Sequence, residues 1–430
     1  MTNNWHLTLL VGLTHLDRNH TPIRIMTQIY RIASLAFSLP LISSAWFGIG
    51  QYCQAQDTSS SLTSSVELLA VTRISGESSD KSGLDGMLET NTPINAFGGL
   101  SAIDYSGTAN RYYALSDRGA GDGAASFPCR FHSIDLAYDP ASKKLEYNLV
   151  GTSMLRDSQS RSLTGSLLQL KGWKDPSRCP SYDPEGIRVI PSANGTPSVM
   201  ISDEYGPYID IFSLDGQMLK SIPIPSTFTL SERKDPPFQV GTFTNRGLEG
   251  IAVTPTSKTI VGAMQGPLVQ DGRIENNKCF GIWTRWLVID PTTSTTKQLA
   301  YPLVDESTGV SEVLSIDESK FLVLERDSLM GEQAKIKRIY LADTSKATDI
   351  SNIESLKSGL PDGNVGIEKS LLIDLLDPRF GFNGPNAPEK PEGIAWGPPL
   401  PGGRKLLIVC FDNDFQPTNM TIFAAFAVKL

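Results

Sequence analysis

The pentapeptide Asp183-Pro184-Glu185-Gly186-Ile187 recurs in varied form as Leu248-Glu249-Gly250-Ile251 and as Lys390-Pro391-Glu392-Gly393-Ile394. Two further stretches, Phe97-Gly98-Gly99-Leu100-Ser101 and Val310-Ser311-Glu312-Val313-Leu314, resemble diverged copies of the same phrase. The glutamates at positions 185, 249, 312 and 392 are separated by 64, 63 and 80 residues. Self-similarity at such a spacing indicates a repeat architecture.

Each copy is followed by a second apolar run, which ends in an acid in four copies and in Gln265 in the remaining one. A third apolar run and a turn dipeptide such as Asp-Gly or Asp-Pro follow. Units of about four short antiparallel strands, repeated around an axis, form a β-propeller. The spacings predict five or six blades, and the run from Val66 to Val71 is expected to close the ring by joining the last blade. Stacked β-sandwiches are the alternative, but they would not place an acid at the same position of the repeats.

The N-terminal segment has the pattern of a secretory signal. Residues 32–56 carry no charge, they follow Arg24 and Arg31, and Cys53-Gln54-Ala55 offers small residues for cleavage. We therefore expect residues 1–55 to contain a signal peptide. If translation starts at Met26, residues 1–25 are an N-terminal extension that precedes it. We expect residues 56–65 to be a flexible linker, and residues 66–430 to be a single propeller domain in a secreted or periplasmic protein. An uncleaved membrane anchor is the alternative.

Composition excludes several classes of site. After removal of the predicted signal only His132 remains, so a zinc site built on several histidines is excluded, and a Ser-His-Asp triad would have to use this residue. The net charge is −8 and the chain has no basic block, which argues against nucleic acid as a partner and suits divalent cations. No stable membrane association is expected after cleavage. We expect a disulfide between Cys129 and Cys179, and a buried thiol at Cys410.

The repeated glutamates predict a metal site on the propeller axis. The first strand of each propeller blade lines the central channel, so these carboxylates would converge, and like charges gathered in this way repel each other. A bound cation relieves the repulsion, and hard oxygen ligands favour Ca²⁺, with Mg²⁺ as second choice. Separately solvated carboxylates at turns are the alternative. The predicted metal ligands are Glu185, Glu249, Glu312, Glu392 and Asp412.

Several other phrases stand in a fixed order around the repeated Glu-Gly-Ile copies. They include Gly98-Gly99-Leu100-Ser101, Ala114-Leu115-Ser116-Asp117-Arg118-Gly119, Ser202-Asp203-Glu204-Tyr205-Gly206-Pro207-Tyr208, Phe321-Leu322-Val323-Leu324-Glu325-Arg326-Asp327 and Asp412-Asn413-Asp414-Phe415. This set resembles the phytase-like family, whose members are described as having esterase-like activity. The resemblance extends from about residue 97 to 430 and implies a secreted propeller that hydrolyses phosphoesters or other esters with calcium.

Phosphoester hydrolysis needs charge neutralisation and an activated water, which bound cations and arginines supply. Asp117, Asp203 and Glu325 are therefore candidate bases or secondary ligands. Arg118 and Arg326 are candidate phosphate clamps, unless they form ion pairs with neighbouring carboxylates. The expected partner is a small-molecule ester, and the acidic balance favours a monoester or a carboxylic ester over a highly phosphorylated substrate. The competing interpretations are a metal-dependent lactonase or carboxylesterase and a non-catalytic, calcium-stabilised propeller that binds another macromolecule.

Overall fold

The computed structural model describes residues 66–174, 178–191, 195–229, 240–243, 245–276 and 278–430. The predicted signal peptide and linker lie outside these residues. Within the described residues, no helix has both the length and the apolar character needed to cross a membrane.

The chain forms a five-bladed β-propeller, which confirms the predicted fold. Of the two predicted blade numbers, five and six, the structure has five. Each blade is a four-stranded antiparallel sheet. Strand β1 (Val66–Ser75) belongs to the last blade. Blade 1 contains β2 (Leu100–Tyr105), β3 (Arg111–Ser116), β4 (Arg130–Asp139) and β5 (Lys144–Met154). Blade 2 contains β6 (Pro184–Ile190), β7 (Ser198–Asp203), β8 (Tyr208–Ser213) and β9 (Met218–Ile222).

The remaining blades follow the same order from the axis outward, and blade 3 carries an inserted ribbon. Blade 3 contains β10 (Leu248–Val253), β11 (Ile260–Met264), β14 (Trp283–Ile289) and β15 (Thr296–Pro302), and its ribbon is formed by β12 (Arg273–Glu275) and β13 (Lys278–Phe280). Blade 4 contains β16 (Gly309–Ser315), β17 (Lys320–Arg326), β18 (Lys337–Asp343) and β19 (Glu368–Asp374). Blade 5 contains β20 (Lys390–Trp396), β21 (Lys405–Asp412), β22 (Met420–Val428) and β1.

The helical elements are short and lie between strands. The α-helix α1 (Leu167–Gly172) begins where the Ser166 hydroxyl accepts a hydrogen bond from the Gln169 amide at 3.2 Å. The 3₁₀ turns are Ser226–Phe228, Gly331–Gln333, Pro378–Phe380, Gly384–Asn386 and Pro401–Gly403.

The N-terminal strand closes the ring, as predicted. Strand β1 pairs with β22 from Val66 opposite Val428 to Ser75 opposite Met420. The inner strands β2, β6, β10, β16 and β20 contact one another in that order, and β20 returns to β2. Pairing the first strand of the domain with the last blade removes a pair of sheet edges that would otherwise stay open.

Among the described residues, five large hydrophobic clusters lie one between each pair of neighbouring blades, and three smaller clusters lie beside loops. Strand β21 illustrates why the strands are apolar in runs and do not alternate. Its residues from Leu406 to Phe411 are all buried, because the blade packs against a neighbour on both faces. Burial on both faces also explains why the apolar runs are visible in the sequence.

The described cysteines, Cys129, Cys179, Cys279 and Cys410, are free and buried. The expected bridge between Cys129 and Cys179 is therefore absent. Cys129 packs in the core between blades 1 and 2, whereas Cys179 packs with Leu170 of α1 in a separate small cluster. The prediction of a buried thiol at Cys410 is confirmed.

Candidate active site at the channel mouth

Every inner strand carries a β-bulge at the same place, and the bulges form a ring around the channel. In each blade the pairing register shifts across one residue of the inner strand. A bulge re-aims the side chain of the extra residue. The five bulge residues all line one cavity of about 420 Å³, and they are Ser101, Glu185, Glu249, Ser311 and Glu392.

Glu312 does not belong to this ring. Its backbone occupies the position of Gly186, Gly250 and Gly393, one residue past the bulge. A shift of one residue along a strand turns a side chain to the opposite face. Glu312 is fully buried and pairs with Arg188, whose Nη2 lies 2.9 Å from its Oε1. The structure thus places this predicted ligand away from the cavity lining.

The Arg188 side chain lies across the channel farther along the inner strands. Its Nη1 donates to the Ile103 carbonyl of blade 1 at 3.2 Å, and its Nη2 donates to the Val313 carbonyl of blade 4 at 2.7 Å. Burial is the main cause that raises the pKa of Glu312 to about 8, and the Arg188 charge opposes it. This buried pair joins blades 1, 2 and 4 beyond the bulge ring.

The second strand of each blade also carries one residue at a shared position beside the bulge. In each blade, one residue of the second strand pairs with the residue just before the bulge, and the position meant here is the next one along the chain. The residues at this position are Asp117, Glu204, Gln265, Arg326 and Asp412. All of these except Asp412 line the cavity. Two predicted site residues, Asp203 and Glu325, lie one residue earlier and are fully buried.

Asp203 and Glu325 hold the protein framework together. The Asp203 carboxylate accepts from the amides of Asp183 and Gly206 at 2.7 and 2.6 Å, so it fixes the backbone just before β6 and just after β7. Burial raises its pKa to about 8. Glu325 accepts from the Val304 amide at 3.0 Å and bonds the side chains of Tyr301 and Lys369. Both acids therefore lie away from the cavity.

Three carboxylates gather in blade 2. Oxygen atoms of Asp183, Glu185 and Glu204 lie within 4.8 Å of one another. Glu204 accepts from the Gly247 amide at 2.7 Å. Burial, followed by the charge of Asp183, raises the pKa of Glu185 well above its usual range and that of Glu204 to about 7. We call Asp183, Glu185 and Glu204 the acidic cluster.

Glu249 approaches the acidic cluster from blade 3. It is 3% exposed; its Oε1 accepts from Gln265 Nε2 at 2.7 Å, whereas its Oε2 has no partner among the described residues. Burial and the charges of Glu204 and Glu392 raise its pKa well above the usual range. An unpartnered buried carboxylate oxygen is costly to maintain unless a ligand binds it.

The predicted phosphate clamps are both in ion pairs. Arg118 Nη1 lies 2.6 Å from Asp183 Oδ2, and its backbone amide donates to Asp183 Oδ1 at 3.1 Å. Arg326 binds both oxygens of Glu392, with Nε 3.1 Å from Oε2, and its Nε also donates to Ser311 Oγ at 3.0 Å. These arrangements match the ion-pair alternative: Arg326 orients Glu392, which lines the cavity, and Arg118 orients the buried Asp183 of the acidic cluster.

A second group of acids lies between blades 1 and 5. Asp412 accepts from the amides of Leu100 and Asp414 at 3.0 and 2.9 Å, and burial raises its pKa to about 6. Half-buried Asp117 faces the cavity, and its Oδ1 accepts from the Gly119 amide at 2.7 Å. Burial and the charge of Asp412 raise the pKa of Asp117 well above the usual range. Lys390 lies beside them and pairs with Asp414 at 2.6 Å.

Sequence reasoning missed Asp183 and Glu204 as ligands, although both stand in the quoted phrases. Asp183 has no acidic counterpart at the same position of the other blades, where Gly99, Gly247, Gly309 and Lys390 stand. A search for features shared by all repeats passes over such a residue. The available signal was the concentration of acids around Glu185 in one blade.

The His132 ring is buried and makes no contact with the cavity. Its Nε2 lies 3.1 Å from Ser116 Oγ and its Nδ1 lies 3.0 Å from Thr152 Oγ1. Burial lowers its pKa to about 3. The ring is therefore a neutral part of the core of blade 1.

Comparison with known proteins identifies the family. A family model described as "Phytase-like: Esterase-like activity of phytase" matches residues 95–415. An uncharacterized secreted protein of Arthroderma benhamiae is 25% identical over 300 residues. The match covers 56% of this chain and 57% of the length of that relative. Among solved structures, hydrazine synthase of Kuenenia stuttgartiensis aligns with a TM-score of 0.34 and 10% identity, over 77% of this chain and 79% of that one. The GH43 β-1,3-galactosidase structure with galactodeoxynojirimycin aligns with a TM-score of 0.38 and 9% identity, over 81% and 95%. The chain belongs to the phytase-like family described by esterase-like activity.

Proposed function

We propose that the protein is a secreted hydrolase that cleaves a phosphoester at the channel mouth with a bound divalent cation, Ca²⁺ first and Mg²⁺ second. The observation that carries the proposal is the acidic cluster, whose oxygen atoms lie within 4.8 Å of one another beside the unpartnered Oε2 of Glu249. Export is supported by the signal-like pattern of residues 1–55 and by the secreted relative.

The residues fit a hard divalent cation. All the donors are carboxylate oxygens, which Ca²⁺ prefers and binds in groups of about six to eight together with waters. Asp183, Glu185, Glu204 and Glu249 carry four negative charges when ionised, and Arg118 neutralises one of them. The raised pKa values of Glu185 and Glu249 have burial and mutual repulsion as their causes. A divalent cation among these groups would favour their ionised forms.

The residues around the cluster orient it. Arg118 holds Asp183, Gln265 holds Glu249, and the buried Asp203 carboxylate fixes the backbone of Asp183. When bound, a divalent cation supplies charge neutralisation to an ester oxygen and lowers the pKa of water.

Asp117 is the proposed proton carrier. It faces the cavity half-buried, and the Gly119 amide holds its Oδ1, which leaves Oδ2 to exchange a proton. Its raised pKa has burial as the first cause and the charge of Asp412 as the second. A carboxyl group with a raised pKa transfers protons more effectively near neutral pH.

A metal-dependent carboxylesterase or lactonase is the second candidate, because the same cation would polarise a carbonyl oxygen. The cations that line the cavity, Arg246 and Lys278 among them, favour an anionic ester. The acidic balance of the whole chain favours a monoester over a highly phosphorylated compound.

The test compares two esters on one metal-stripped protein. The purified protein is treated with a chelator, and hydrolysis of p-nitrophenyl phosphate and of p-nitrophenyl acetate is followed as Ca²⁺ or Mg²⁺ is added back. We expect Ca²⁺ to restore phosphate-ester turnover and Glu185→Gln to reduce it at least ~100-fold, since the substitution removes one ligand charge. Glu146→Gln, at an exposed glutamate of β5, is the matched control.

Thermal melting separates a catalytic cation from a structural one. A cation present at about 100 times its Kd adds ~2.7 kcal/mol to folding stability, which for a propeller of this size raises Tm by roughly 3 to 4 °C. A rise in Tm without turnover of either ester would make the cation structural and the protein a binding propeller. Turnover of the acetate alone would select the carboxylesterase. No effect of either cation on Tm or turnover would refute the metal site.

A further inference from the structure

Two of the cations that line the cavity have no carboxylate partner. Arg118, Arg326 and Lys390 pair with Asp183, Glu392 and Asp414 respectively. Within the described part of the chain, Arg246 and Lys278 have no carboxylate oxygen within 4.0 Å. They are thus the cavity cations whose charge the protein leaves available.

The backbone forms a slot that holds Arg246. A Cβ atom on Gly309 would lie 3.2 Å from Arg246 Nη1 and 2.9 Å from Gln265 Cγ, and one on Gly266 would lie 3.2 Å from Arg246 Cδ. A Cβ at either position would require the arginine to shift by a few tenths of an ångström. The Nη1 group donates to the Thr308 carbonyl at 3.3 Å, while the other N–H groups have no protein acceptor among the described residues. The half-buried Arg246 therefore lines the cavity with N–H groups for which the described residues offer no acceptor.

The cavity lining carries charges of both signs. Blades 3 and 4 contribute Arg246, Lys278 and Arg326 to the lining, and Glu249 is the acid that they add. Blade 2 contributes the acidic cluster. Burial lowers the pKa of Arg246, and the charges of Glu204 and Glu249, which lie near it, oppose that shift. The charge of Arg326 lowers the pKa further, so the two guanidinium groups repel each other. An anion placed between them would remove this repulsion.

We propose that Arg246 and Lys278 form an anion subsite that binds the phosphoryl group of a phosphate monoester beside the acidic cluster, since the Gly247 amide next to Arg246 donates to Glu204. A guanidinium offers two parallel N–H donors that match phosphate oxygens, and a lysine adds a flexible point charge at the rim. The subsite adds substrate selectivity to the proposed function, because it favours an anionic ester over a neutral one. For the hydrolytic reaction itself it rests on that proposed function. Phosphate recognition by these two side chains can be measured without turnover.

The experiment titrates inorganic phosphate into the purified protein by isothermal calorimetry, first without and then with Ca²⁺. We expect Arg246→Gln to weaken phosphate binding at least ~10-fold, because charge-assisted hydrogen bonds to a partly buried guanidinium are lost. Lys278→Gln, at an exposed side chain, is expected to weaken it about 2- to 5-fold and guards against misfolding of the first variant. Arg73→Gln, at an exposed arginine of β1, is the matched control and should bind as the wild type does.

The outcomes separate the subsite from the reaction. Equal phosphate affinity in the wild type and in both cavity variants would overturn the subsite, as would a wild type that binds no phosphate in either condition. Phosphate binding that depends on Arg246 in a protein that hydrolyses neither test ester would support the subsite and reject the proposed hydrolysis. Ca²⁺ affinity measured without phosphate should be kept or increased in Arg246→Gln, because the substitution removes a positive charge near Glu204 and Glu249.

Discussion

The substitution His132→Gln tests whether the histidine is a neutral core residue. The ring is fully buried, lies between the hydroxyl groups of Ser116 and Thr152, and packs against Phe97 with ring centroids 5.0 Å apart. Burial lowers its pKa from the ordinary value of 6.5 to about 3. The unfolded chain therefore takes up a proton near pH 6.5, whereas the folded protein does not.

The sign and size of the effect follow from this difference. Because the folded pKa lies below the unfolded one, the stabilising contribution is complete above about pH 6.5 and is lost as the pH falls toward 3. At pH 5, which is about 1.5 units below the unfolded pKa, the loss is roughly 2 kcal/mol at ~1.4 kcal/mol per unit. The loss at pH 7.5 is negligible.

Urea denaturation at pH 7.5 and pH 5.0 measures the effect in the wild type and in His132→Gln. Other groups that titrate in this range, such as Asp412 with a pKa of about 6, are present in both proteins and cancel in the comparison. We expect the wild type to lose about 2 kcal/mol more than the variant between the two pH values. Equal losses would contradict the buried neutral histidine. A variant that keeps its stability but loses ester turnover would restore the catalytic histidine that we exclude.

Two further predictions concern the channel. Gly393→Ala places a Cβ 2.9 Å from Ala102 Cα, where two inner strands meet, so we expect the free energy of unfolding to fall by about 1–3 kcal/mol in urea titrations. Gly151→Ala is the control: nothing lies within 4 Å of its Cβ, and it should change the free energy of unfolding by less than about 1 kcal/mol. Arg326→Gln leaves the buried Glu392 without its bidentate partner and should cost about 3 kcal/mol, and the double variant with Glu392→Gln should recover part of that loss in a double-mutant cycle. Additive losses in the cycle would show that the pair is not coupled.

The blade architecture could be predicted because its determinants are local. Runs such as that from Leu406 to Phe411 are apolar because neighbouring blades cover both faces, and the turns between them carry Gly and Asp. Gly216, for example, adopts a φ of 85° in the turn between β8 and β9, which glycine adopts at low cost. The closing role of β1 also followed from the sequence, since an apolar strand was left over before the first repeat.

In the diverged copies, the sequence could not predict which residue of the strand points into the cavity and which points into the core. Glu312 replaces the glycine that follows the bulge, and Ser311 takes the bulge position that a glutamate holds in three other blades. The acids Asp203 and Glu325 were likewise placed one residue early. Side chains alternate between faces with a period of two, so an error of one residue moves a carboxylate from the cavity to the core.

The sequence by itself determined the repeat, the absence of a multi-histidine site from the propeller and the supply of carboxylates suited to a hard cation. Only the tertiary structure decided that Asp183 and Glu204, and not Glu312, accompany Glu185. It also decided that Arg118 and Arg326 are neutralised by carboxylates whereas Arg246 is not. The physical reason is that these contacts join loops of different strands and blades, and their distances are set by how the blades pack around the axis and by where each inner strand bulges.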